Sequence, residues 1–135
     1  MSEFVVVDTC INDVEALQAS LAELDIPESQ IEVHATPVKL NGYSGAKERK
    51  ANIIIRREHL CGGYDVGFEL KEDGTYRIWM GDYSCDKLTK AIHDKKLLRL
   101  YAKHKLLKEV ESQYGLRIDS CEEKGEKIEI MIGAD

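Results

Sequence analysis

The sequence predicts an α+β domain, a mostly antiparallel sheet in the order β-α-β-β-β-β-α-β-β with helices packed on one face. Three observations predict it. Short β-branched runs with a two-residue period recur from Phe4 onward, helical apolar spacing is confined to two stretches, and Gly-rich turns join successive strands. The 135 residues, 43% of them hydrophobic, fit one domain spanning 1–135. A chain of that length buries roughly two-thirds of its unfolded surface and needs no metal or disulfide staple.

Phe4 to Cys10 reads as the first strand, apolar and β-branched. Asn12 is the expected N-cap of the first helix, with Glu15 completing a capping box. Val14, Leu17, Leu21 and Leu24 recur at spacings of three and four and form one apolar stripe, which Asp25-Ile26-Pro27 ends. Ile31 to Leu40 alternates as a second strand, and Pro37 marks it as an edge or a bulge. A polar loop, Asn41 to Lys50, leads to a third strand from Ala51 to Glu58.

Next comes Gly62-Gly63-Tyr64-Asp65-Val66-Gly67-Phe68, a glycine turn running into a fourth strand, Tyr64 to Leu70. Gly67 inside that strand pattern signals a bulge or something packed directly on the backbone. Asp73-Gly74 is a hairpin signal, and Thr75 to Met80 is the fifth strand. There Tyr76, Ile78 and Met80 share one face, Arg77 and Trp79 the other. Ser84 or Asp86 caps a basic helical region that runs to about Tyr114, with Asp94 a candidate break and Gly115 a C′ stop. Leu116 to Cys121 and Lys127 to Ile132 form a closing hairpin about Gly125.

The longest apolar runs, such as Phe4 to Val7, fall far below the roughly 18 residues a membrane span needs. With no charged-then-apolar leader, a soluble, unexported, cytoplasmic protein is expected. Cys10, Cys61, Cys85 and Cys121 are widely spread and form no Cys-x-x-Cys pair, so reduced thiols are expected. The net charge of −6 argues against non-specific nucleic-acid binding, but it is unevenly spread. From Cys85 to Lys108 eight basic residues meet two aspartates, +6 in all, which leaves −12 for the remainder.

The motifs that could carry chemistry each have a simpler structural reading. His59, Cys61 and Asp65 could be imagined as a thiol nucleophile with its base, yet a turn holding a small half-buried cysteine explains them as well. Cys61, His59, Cys85 and His93 lack the paired spacing of a zinc site, so no metal and no cofactor is expected. His104 sits on the apolar arc beside Tyr101, and it reads as a core histidine bonded to a backbone carbonyl, to Tyr101 or to a strand carboxylate. Lys95, Arg99 and Lys103 share a helix face and, with Lys96, form the basic patch of a phosphate- or nucleic-acid-binding alternative on helix 85–108. No base-stacking aromatic accompanies them beyond Tyr101, so solvated lysines are the simpler reading.

Tyr43, Tyr64, Asp65 and Trp79, set among glycines 42, 45, 63 and 67, form the candidate partner-binding face. Rigid rings beside open backbone suit protein contact. Trp79 points away from Tyr76, Ile78 and Met80, so it is a candidate patch if that face is uncovered.

Several segments in order resemble one family. They are Met1-Ser2-Glu3-Phe4, Asp13-Val14-Glu15-Ala16-Leu17, Asn41-Gly42-Tyr43-Ser44-Gly45, Lys50 to Arg56, Gly63 to Phe68, and Leu100-Tyr101-Ala102-Lys103-His104. Together they resemble the hypothetical chloroplast reading frame 35 family, domain of unknown function 1257, of plastids, cyanobacteria, other bacteria and phages. His59-Leu60-Cys61 and the lysine-rich helix depart from its pattern. The resemblance implies no reaction. It implies an accessory or interaction role beside a larger machine such as an AAA-type ATPase, in a bacterium, a phage-infected cell or the plastid stroma.

Overall fold

A computed structural model describes residues 4–42, 47–60, 63–81, 86–113, 116–124 and 127–134, with side chains described as far as Ser112. Five strands form one antiparallel sheet: β1 (Phe4–Asp8), β2 (Ile31–Lys39), β3 (Lys50–Ile55), β4 (Val66–Leu70) and β5 (Tyr76–Gly81). Their spatial order is β1-β5-β4-β3-β2. The three helices are α1 (Val14–Glu23), α2 (Lys87–His93) and α3 (Lys96–Gln113). After α3 come β6 (Leu116–Lys124) and β7 (Lys127–Ala134), which pair with each other as a separate two-stranded sheet among the described residues.

The α+β class and the one-sided helix layer follow from how apolar residues alternate. Ile53, Ile55, Val66, Phe68, Ile78 and Met80 point to one face of the sheet and are essentially buried. Leu17 and Leu21 of α1, Leu88 and Ile92 of α2, and Leu97 and Leu100 of α3 cover them. The apolar stripe of α1 therefore does what its spacing predicts. A smaller cluster, Phe4, Leu40, Ala51, Ile54 and Tyr64, lies apart from this core, with Val38 and Trp79 packed against it.

Local chemistry sets the element ends. Asp13, not Asn12, caps α1, its carboxylate accepting from the Ala16 N–H at 3.2 Å. The reason is tertiary, because the Tyr101 hydroxyl and Lys105 engage Asn12 instead. At the other end Asp25 takes φ 64° while the Asp25 and Ile26 N–H groups bond back to Ala22 and Leu21. That is the Schellman arrangement with aspartate where glycine is usual. Asp86 caps α2 through Thr89, as one of the two expected caps.

Asp94 does break the basic region. Its N–H closes α2 on Lys90, and its carboxylate accepts from the Lys96 N–H at 2.8 Å as α3 begins. Lys95 stands between the helices at φ 66°, so it is not on a helical face with Arg99 and Lys103 as its spacing suggested. The edge or bulge expected at Pro37 is present too: β2 is an edge strand whose register shifts between Val33 and Val38. The Gly115 stop and the Gly125 turn lie outside the described residues.

Candidate partner-binding surface

The register places one row of residues straight across the sheet. Val6 stands opposite Trp79, Trp79 opposite Gly67, and Gly67 opposite Ile54. Gly67 thus sits in regular pairing, not in a bulge, and the second reading of its glycine applies. A β-carbon there would lie 2.6 Å from the Ala51 β-carbon and 2.7 Å from Leu40 Cδ2. Leu40 packs directly on the strand backbone, held by its N–H bond to the Arg49 carbonyl at 2.8 Å.

The aromatic residues divide. Tyr64 is 5% exposed and wedged between two glycines, since β-carbons at Gly42 and Gly81 would each meet its ring at about 3 Å. Phe4 meets it edge-on, with ring centroids 4.7 Å apart. Tyr64 is therefore a core plug and not a contact residue on the surface. Trp79 is only half-buried. The Arg49 guanidinium lies 4.6 Å from its ring centroid, and its indole N–H donates to Glu69 Oε1 at 3.1 Å. Beside it Val6 is 47% exposed. The Trp79 face is thus partly covered, by Arg49 and Glu69, and open at Val6. Tyr43 lies outside the described residues.

Asp65 is fully buried and is a structural hub. Oδ1 accepts from the Arg57 N–H at 2.7 Å, and Oδ2 accepts from the Asn41 N–H at 2.7 Å and from Arg56 at 2.9 Å. Its own N–H donates to the Asn41 carbonyl. With both oxygens occupied and no surface, Asp65 offers nothing to a partner or a substrate. Arg56 extends the network in bidentate fashion to Glu32, which also contacts His34 at 2.8 Å. Hydrogen bonding from Arg56 holds the Glu32 carboxyl below its ordinary range against the opposing effect of partial burial, and Glu32 in turn raises Arg56.

The basic region is spent largely inside the molecule. Lys103 and His104 both reach Glu23 of α1, at 2.9 and 2.5 Å. Lys108 pairs with Asp13 and Glu15, Lys105 with Asn12, and Lys87 with Asp25. Burial pushes the Glu23 carboxyl up, but Lys103 and His104 outweigh it and leave it lowered. His104 is therefore a half-buried partner of a helix carboxylate rather than of a strand carboxylate or a backbone carbonyl. Of the remaining patch, Arg99 donates to the Asp94 carbonyl at 3.3 Å, and Lys95 is exposed.

The catalytic and metal alternatives each rest in part on residues outside the described ones. His59 is exposed on the short 3-10 turn Arg57–His59, and His93 is exposed at the end of α2. Cys61 and Cys85 lie outside the described residues, and no described group of three or more His, Cys, Asp or Glu could hold a metal ion. No described helix is long and apolar enough to cross a membrane.

The family described as protein of unknown function (DUF1257) matches residues 20–129, most of the chain. The chain belongs to this family. Comparisons with curated proteins and with solved structures returned no match. Within this DUF1257 chain the matched span takes in the Asp65 hub, the Trp79, Gly67 and Ile54 members of the row but not Val6, and all of α2 and α3.

Sequence reasoning missed two parts of this architecture. Asn52 is buried in β3 and bonds the Leu70 N–H at 3.0 Å on one side and the His34 and Ala35 carbonyls on the other. It fills the gap the β2 bulge opens, and an asparagine within an isoleucine run was the available signal. The pairing of α1 acids with α3 bases was the other, foreshadowed by the uneven charge.

Proposed function

We propose that this chain is a small interaction or accessory protein with no catalytic activity of its own, binding a larger protein assembly through the sheet face around Trp79. One observation carries the reading. The indole lies half-exposed beneath the Arg49 guanidinium and beside the exposed Val6. Tryptophan and arginine dominate the energetics of protein interfaces because they combine large area with directed polar contact. Tyr64 and Asp65 support this face from within by fixing the Gly42 and Arg57 segments behind it. Tyr43 belongs to the proposal on its sequence position. An AAA-type ATPase, implied by the family resemblance, is the first partner to test, in the cytoplasm of a bacterial or phage-infected cell or in the plastid stroma.

The test compares affinity purification with the native chain and with Trp79→Ala and Arg49→Ala. Loss of the same specific partner in both variants, at unchanged circular dichroism, supports the reading. Retention of every partner by both variants sinks it. Trp79 is the only tryptophan, so its emission also reports directly on occupancy of this face. The basic-helix alternative is weakened because Lys87, Lys103, Lys105 and Lys108 already have intramolecular partners. A steeply salt-dependent shift with DNA or RNA, lost on reversing Lys95, Lys96 and Arg99, would restore it.

A further inference from the structure

The two edges of the sheet are built differently. Strand β2 carries Glu32, His34 and Lys39, a proline at 37 and a register shift, all devices that keep an edge from pairing with another chain. Strand β1 has neither proline nor register shift, and its one charged residue, Asp8, stands at its end. Its sequence is Phe4-Val5-Val6-Val7-Asp8, in unbroken register with β5 and with three consecutive β-branched residues. Among the described residues it has a strand neighbour on one side only.

Its burial is also incomplete on both faces. Val5 and Val7 pack against the main core yet stay half-buried, whereas Ile53, Ile55 and Phe68 deeper in the sheet are at most 1% exposed. On the other face Val6 is 47% exposed. The helix layer therefore stops short of covering this strand.

We infer that β1 is a pairing edge and that its partner is a second copy of this chain, bound antiparallel about Val6. The strand is self-complementary in that arrangement. Val6 of one copy meets Val6 of the other, Val5 meets Val7, and Phe4 meets Asp8. Parallel pairing in register would instead oppose Asp8 to Asp8, and like charges directly opposite are destabilising. The antiparallel pair extends two five-stranded sheets into one continuous sheet related by a two-fold axis, the commonest symmetry of soluble oligomers. Main-chain hydrogen bonds supply the attraction, as in other strand additions.

Five paired residues form a small interface beside the roughly 1,000 Å² of a stable one, so the dimer is reversible. This inference goes beyond the Trp79 reading and does not depend on it. Val6 borders both surfaces, but the pairing runs through the main chain of β1, and sedimentation of the isolated chain reads self-association without any other partner.

Sedimentation of the native chain from about 1 μM to about 1 mM, the Kd range of weak interfaces, tests the inference. The mass is expected to rise from 15.3 kDa toward twice that value. Val6→Lys sets two ammonium groups against each other and is expected to weaken the dimer at least tenfold, while Val33→Lys on β2 leaves it unchanged. A chain that stays monomeric throughout overturns the inference, as does a dimer that only Val33→Lys weakens. Hydrogen exchange on the native chain needs no variant. Amides of β1 are expected to gain protection with concentration while those of β2 do not, and equal behaviour of both edges overturns the proposal.

Discussion

Leu40 occupies the space that a side chain at position 67 would need: its two methyl carbons lie 2.7 and 2.9 Å from where a Gly67 β-carbon would stand. The glycine is thus a seat for a neighbour, and it lets the segment after β2 lie flat across β4. That segment also carries Asn41 and Gly42, which the Asp65 carboxylate and Arg57 hold by their backbone atoms.

Gly67→Ala is expected to destabilise the fold. The added methyl must displace Leu40 and the Ala51 methyl, and overpacking of that kind costs about 1–3 kcal/mol. Alanine's better fit to a strand interior returns at most about 1 kcal/mol. The net is a lower denaturation midpoint in urea. Leu40→Ala is destabilising alone, by about 2–5 kcal/mol for a leucine that is 2% exposed. In the double variant the two losses should be less than additive, because each removes the other's clash or cavity.

Asp65 separates a framework role from a contact role. If it holds the fold, Asp65→Ala leaves the Arg57 and Asn41 N–H groups and the Arg56 guanidinium without their acceptor. Breaking such a buried pair costs about 3–5 kcal/mol. Asp65→Asn keeps one acceptor and should fall between the two. Chemical denaturation reads both, and native-like stability in Asp65→Ala would remove the hub described above.

How far the sequence reached depends on the range of the interaction that decides each feature. Asp86 as a cap, Asp94 as a break, Pro37 as an edge and the alternation of Tyr76, Ile78 and Met80 are settled within a few residues, so pattern alone reveals them. The α1 cap went to Asp13 because Tyr101, 88 residues away, takes up the neighbouring backbone. Tyr64 and Asp65 were legible as special but not as buried. Their surroundings, Gly42, Gly81, Arg56 and Asn41, converge only when the sheet closes. Trp79 kept its predicted face, but Arg49 above it comes from a loop whose path no period encodes.

Acid is expected to weaken the fold in a defined window. Glu32 and Glu23 have an ordinary value of 4.5, and both are lowered in the folded chain, Glu32 chiefly by Arg56 and Glu23 by Lys103 and His104 working against burial. As pH falls through that value the unfolded chain takes up protons first, so stability present at neutral pH drains away until the folded carboxyls are protonated as well. Urea midpoints should hold steady from pH 7 to about 5.5 and then decline. Glu32→Gln should flatten the decline, and an unchanged slope in that variant would show that the Arg56 pair does not contribute.

The Tyr101 hydroxyl joins α3 to the start of α1. It accepts from the Asn12 and Asp13 N–H groups at 2.9 and 3.0 Å and donates to Asn12 Oδ1 at 3.1 Å, on a side chain only 3% exposed. Tyr101→Phe keeps the ring and removes this oxygen, stranding two backbone donors. Because Asn12 is exposed and Asp13 half-buried, the loss expected is at the low end of the about 1–3 kcal/mol that an unsatisfied buried donor costs. Hydrogen exchange should localise it, with amides 12 and 13 and the first turn of α1 opening faster while β3 and β4 keep their protection. A uniform loss across the chain would mean that the hydroxyl stabilises the whole fold rather than this junction. No loss at all would mean that water replaces the hydroxyl at the helix start.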